Sequence, residues 1–170
     1  MKNFLKVALV AVCFLTIGNF AKAQTKIGYI NFDALIGQMP EAKTVKTTLD
    51  TYSKQFTDEI AAMQAELQTK GTEFQKTQAS MTDATRTAKQ AELQDIQKRM
   101  QDYQQSAQQK FDEKSSELIK PLSDKARVAV EGVAKEKGYT YVVNTAQTQF
   151  VVAPPGDDLM AAVKAKLGVK

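Results

Sequence analysis

Apolar residues recur along the middle of the chain at intervals of three, four or seven. One run holds Val45, Leu49, Tyr52, Phe56, Ile60, Met63, Leu67, Phe74 and Met81; a second holds Leu93, Ile96, Met100, Tyr103, Ala107, Phe111, Leu118 and Leu122. Such spacing places the apolar side chains on one narrow stripe of an α-helix, and two stripes of this kind suit coiled-coil packing. Pro40 is well placed in the first turn of the first helix. The positions between are Gln, Thr, Ser, Lys and Glu, as from Gln101 to Gln109, so the helices bury little surface per residue.

In an antiparallel hairpin, partners across the seam lie at equal distances from one fold-back point. Val45 with Leu122, Leu49 with Leu118, Phe56 with Phe111, Ile60 with Ala107, Leu67 with Met100 and Phe74 with Leu93 all share a point between Asp83 and Ala84. Thr82 and Asp83 offer caps for the returning helix there. A shift of half a heptad also aligns many positions. No Gly or Pro marks the tip, which leaves open a single long helix pairing with a second chain. The hairpin is the preferred reading, with each arm of about 40 residues reaching roughly 60 Å.

The two ends have a different texture. Lys26 to Phe32 is rich in β-formers and reads as a strand, followed by a short helical turn capped by Asp33 and stopped at Gly37. Pro121 is expected to kink the returning helix where it meets a compact end, and Gly138 to terminate it. Tyr139–Val143 and Phe150–Ala153 read as two strands of a hairpin, closed by Pro154-Pro155-Gly156. Asp157 or Asp158 then caps a final helix carrying Leu159, Val163 and Leu167 on one face and ending at Gly168. The fold class is therefore α+β, mostly α: a long antiparallel coiled-coil hairpin projecting from a small β-sheet body.

The first 23 residues stand apart from this fold. Lys2 and Lys6 precede an apolar run from Val7 to Ile17, and Ala21-Lys22-Ala23 follows, the order of a secretory signal peptide cut after Ala23. That run is about half of the roughly 20 residues a spanning helix needs. Cys13 lies inside it after Val12, a poor context for lipidation. The division is then 1–23 leader, 24–40 body, 41–121 arm with its tip near 82–85, and 122–170 body. The mature protein is therefore expected to be exported and soluble.

Loss of the leader also changes the charge. Lys2, Lys6 and Lys22 leave with it, so 23 basic against 19 acidic residues becomes 20 against 19, and no basic excess remains to argue for nucleic acid. With no histidine in the chain and its one cysteine in the leader, the common nucleophile, zinc and proton-shuttle constellations are missing. The paired carboxylates Asp58-Glu59, Asp112-Glu113 and Asp157-Asp158 suit solvation or capping, and no phosphate-binding G-x-x-x-x-G-K-[ST] run occurs. A non-enzymatic protein without cofactor or metal is expected. Three strands and a short helix make a small core for one chain, which points to assembly through open strand edges.

The start KIGYINFDALIGQMPEAK, the run AKEKGYTYVVN and the ending DDLMAAVKAKLG resemble the Skp/OmpH family of periplasmic chaperones. The resemblance covers nearly the whole mature chain. It implies a homotrimer whose sheets join into one body, with three arms projecting like the tentacles of a jellyfish around a cavity. It also implies ATP-independent holding of unfolded outer-membrane β-barrel proteins, and weak contact with anionic lipid or lipopolysaccharide through cationic tips. By position, Ile27, Tyr29, Tyr141, Val143, Phe150 and Val152 fall in body strands, where subunit contacts are expected.

Client-contact candidates on the arm are Met63, Phe74, Met81, Met100 and Tyr103, adaptable apolar groups that equally serve as seam packing. Lys76, Arg86 and Lys89 are the cationic candidates at the tip. Between Lys70 and Arg99, however, six cations face four carboxylates, a net of only +2, and a solvated helix face explains them as well. A structural or adaptor coiled coil of the cell envelope is the alternative function.

Overall fold

The computed structural model describes residues 25–169; the expected leader, 1–23, and Cys13 within it lie outside the described residues. Strand β1 (Ile27–Ile30) leads into helix α1 (Phe32–Gln38). Asn31, not Asp33, caps α1, its Oδ1 accepting from the Ala34 N–H at 2.9 Å. Gly37 does not stop the helix, which ends at Gln38 before Pro40 opens the next one.

Helix α2 (Pro40–Thr77) and helix α3 (Asp83–Glu136) run to 38 and 54 residues. Ion pairs from Glu41 to Lys125 near the body and from Glu66 to Arg99 nearer the tip show that they lie side by side in opposite directions. The single-helix alternative is thereby excluded. The reversal starts somewhat earlier than the seam predicts: α2 tightens into a 3₁₀ turn at Gln78–Ser80, and Thr82 then caps α3. Its hydroxyl accepts from the Thr85 N–H at 3.3 Å, and Asp83 adds a carboxylate to the electropositive first turn.

Every position of the two predicted seams is turned inward. Only Ile96, Ala107 and Leu122 are fully buried, and α2 has no buried residue at all. The arm is held by a narrow stripe of contacts that stays partly exposed along most of its length.

Helix α3 continues as one element through Pro121. Beyond it the apolar face widens: Leu122, Ala126, Ala129, Val130, Val133 and Ala134 join Ile30, Leu35, Met39, Tyr139, Leu159 and Val163 in the body core. Gly138, at φ 71°, ends the helix in the left-handed region, with the Tyr139 N–H donating to the Ala134 carbonyl at 2.8 Å.

Strand β2 (Tyr141–Asn144) follows and pairs with β1 in parallel, Ile27 opposite Tyr141 and Tyr29 opposite Val143. Parallel strands need a long crossover, and here the entire arm supplies it. The expected antiparallel hairpin does not form, so Phe150 and Val152 are not strand residues. One local feature bears on this. Asn144 turns the chain away, its Oδ1 accepting from the N–H of Phe32 at 3.1 Å and of Ala146 at 3.0 Å. The far side of β1 is meanwhile engaged by Asp158 and Leu159, whose N–H donates to the Tyr29 carbonyl at 3.0 Å.

The last helix, α4 (Met160–Leu167), packs on α3 through Leu159 and Val163. Asp158 serves its start, accepting from the Met160 N–H at 2.8 Å, while Asp157 meets the Tyr139 hydroxyl at 3.0 Å. At Gly132 a Cβ would lie 2.9 Å from the end of the flexible Lys166 side chain, which crosses α3 to reach Glu136.

Candidate functional site

The described residues hold no group of His, Cys, Asp or Glu that could bind a metal, and no helix among them is long and apolar enough to cross a membrane. What the fold offers is surface, on the arm and on the body.

The arm has three zones between body and tip. In its middle, Tyr52, Phe56 and Tyr103 make edge-on aromatic contacts, with ring centroids 4.8 and 6.2 Å apart. Beside them Phe56, Ile60, Ala107 and Phe111 floor an open hollow of about 380 Å³, rimmed by Ser53, Thr57, Gln104 and Gln108. Phe56 and Phe111 thus sit at one level, as the seam register requires. Farther out, Leu67, Ile96 and Met100 continue the seam, with Met63 and Met100 each half-buried on facing helices.

At the tip, Phe74 from α2, Leu93 from α3 and Met81 from the reversal close together. Lys70, Glu73, Lys89 and Glu92 surround them and leave only about 10 Å³, at the limit of a single water. Lys70 reaches across from α2 to Glu92, and Lys89 donates to the same carboxylate at 3.0 Å. The hydrogen bond from Lys70, and next that from Lys89, holds the Glu92 carboxyl below its ordinary range. The Glu92 hydrogen bond in turn raises Lys70. At the other end of the arm, the hydrogen bond from Lys125 lowers Glu41 in the same way.

The three cationic candidates therefore differ. Arg86 is spent on structure: it donates to Asp83 at 3.2 Å and to the Met81 carbonyl at 3.3 Å, tying down the reversal. Lys89 is engaged by Glu92. Lys76 alone is exposed with no carboxylate partner among the described residues. The five apolar candidates, Met63, Phe74, Met81, Met100 and Tyr103, are all half-buried seam residues. The cross-arm partners Glu41, Glu66, Lys70, Glu92, Arg99 and Lys125 were not singled out from the sequence. The register that sets Leu67 beside Met100 also brings Glu66 near Arg99, so the signal was present.

On the body, Ile27, Tyr29, Tyr141 and Val143 lie on the paired strands. Phe150 leaves the sheet and packs its ring 5.7 Å from that of Tyr29, while Val151 is 99% exposed and Val152 83%. Next to β2, a groove of about 500 Å³ is lined by Ile30, Phe32, Val130, Ala134, Tyr139 and Val142. The body thus presents uncovered apolar surface on both its strand segment and its flank.

Comparison with known proteins places these features in context. Residues 26–167 match the family described as Outer membrane protein (OmpH-like). Curated relatives include the chaperone protein Skp of Yersinia enterocolitica, 25% identical over 81% of this chain and 83% of that protein. Skp of Vibrio cholerae serotype O1 is 26% identical over 88% and 90%. An OmpH-like protein from Caulobacter crescentus CB15 superposes with a TM-score of 0.68 at 16% identity, covering 88% of each chain; that likeness concerns the fold.

Proposed function

The chain belongs to the OmpH-like family of outer membrane proteins, and from that membership we propose that it is an ATP-independent holding chaperone of the periplasm, directed there by its 1–23 leader and soluble once that leader is cleaved. Its clients are unfolded outer-membrane β-barrel proteins, and its working form is a homotrimer in which three arms enclose the client. The proposal divides the chain into a body, 24–40 with 122–170, and an arm, 41–121.

The observation that carries this reading is the arm itself: a 38-residue helix with no buried side chain, laid along a partner on a seam that stays half open. A helix stabilised so thinly can shift its contacts at small cost. An unfolded barrel protein aggregates through exposed apolar side chains and unpaired backbone, and weak contacts at many points keep it from other copies without trapping it. Phe74, Met81, Met63, Met100 and Tyr103 supply those contacts at the seam's rim. Release follows from folding of the client, since the chain has no nucleotide-binding loop. With Arg86 and Lys89 committed to neighbours, Lys76 is left for anionic lipid or lipopolysaccharide, so that contact is weak.

A denatured outer-membrane barrel diluted from urea should stay in solution at about one trimer per client. Precipitation at the rate of the barrel alone would overturn this reading in favour of an envelope adaptor coiled coil.

A further inference from the structure

The tip joins an apolar pocket to a charged cover. Phe74, Met81 and Leu93 form the pocket, all three half-buried. Glu92 lies over it between Lys70 of α2 and Lys89 of its own helix. Lys70 also stands 3.9 Å from Glu66, which stands 3.9 Å from Arg99. These are the cross-arm ion pairs of the distal half of the arm, among the described residues. Each partner is a third to a half exposed, so water and salt compete for it and the pairs exchange readily. Just on the body side, Ile96 is 1% exposed, the most buried residue of the arm and a natural pivot for movement beyond it.

We propose that the Lys70–Glu92–Lys89 cluster is a latch, and that its opening admits an apolar side chain of an extended client segment between Phe74, Met81 and Leu93. This deepens the holding-chaperone reading and rests on it. The chemistry of the ligand follows from the walls and the rim. Walls of Phe, Met and Leu take an aliphatic or aromatic group, with the methionine adapting to its shape. Once unlatched, the two ammonium groups can donate to the carbonyls of an extended backbone and the carboxylate can accept from its N–H groups. A chain that alternates apolar and polar residues presents an apolar side chain inward with its backbone at the rim. Opening must uncover the covered part of Phe74, Met81 and Leu93, a cost that burial of the incoming apolar group offsets.

Site-resolved methionine oxidation tests this, with the purified protein exposed to dilute peroxide and its peptides analysed by mass spectrometry. Glu92→Gln and Lys70→Gln should each oxidise Met81 about threefold faster than the parent, as expected for loss of a weak exposed pair, while Met63 and Met100 keep their rates. Lys46→Gln, which breaks an ion pair within α2, should change none of them. A bound denatured barrel should slow Met81 oxidation in Glu92→Gln. Equal Met81 rates in the parent and both tip variants would overturn the latch, and faster oxidation that client does not slow would overturn the pocket as a client site. If every protein, the parent included, fails to keep the barrel soluble, the holding-chaperone reading fails instead; the oxidation rates of the free proteins still decide the latch.

Discussion

Single glycines in the body show how local chemistry sets the limits of an element. Gly138 sits at φ 71° with open space where a Cβ would go, so the demand there is conformational and not steric. Gly138→Ala should cost about 1–2 kcal/mol, the usual penalty for a side chain in the left-handed region, seen as a lower urea midpoint. Gly132 is the converse case, helical and crowded by Lys166. Its neighbour is the end of a flexible side chain, so Gly132→Ala gains helix propensity while displacing only an exposed ion pair, and the midpoint should hold or rise. A fall as large as that of Gly138→Ala would mean that the Lys166–Glu136 contact matters more than its exposure implies.

Among the elements, the hairpin was legible because its signal is repeated many times along the chain: each seam position from Val45 to Leu122 turned inward as the spacing requires. The strand segment was not, because Phe150-Val151-Val152 has the composition of a strand but pairing is decided elsewhere, by Asn144 bending the chain after β2. The tip charges were half legible. Their residue types fit a solvated face, and only the antiparallel register reveals that Lys70 and Glu66 answer Glu92 and Arg99 across the arm. Those pairs also fix a pH response. Glu41 and Glu92 have lowered folded-state values, so their contribution is present above the unfolded carboxylate pKa and lost as pH falls through the folded one. Around Glu92 stand Lys70, Lys89, Glu73 and, farther along, Glu66, and the chain has no histidine. Hydrogen exchange of the arm amides should therefore be unchanged, after correction for intrinsic rates, from about pH 7 to 5 and accelerate only in the acid carboxylate range. Acceleration between about pH 7 and 6 would contradict this.

For the whole molecule, the body is the part that does not look self-sufficient: a two-stranded sheet, an open groove lined by both apolar and charged side chains, and Val151 and Val152 almost wholly in solvent. Apolar groups so placed gain by being covered, which in a symmetric assembly happens at every interface at once. Val151→Asp combined with Val152→Asp should turn the proposed trimer into a monomer in a solution mass measurement and leave the helical circular dichroism nearly unchanged. An unaltered mass would place the contacts elsewhere. The parallel pairing of β1 with β2 bears on the order in which the molecule is made. The first strand is synthesised long before its mate at Tyr141–Asn144, with the whole appendage still to come. Helices adjacent in sequence can zip early, whereas distant strands must wait for the chain between them to be drawn up. The projecting arm is thus also the jig on which its own base is assembled.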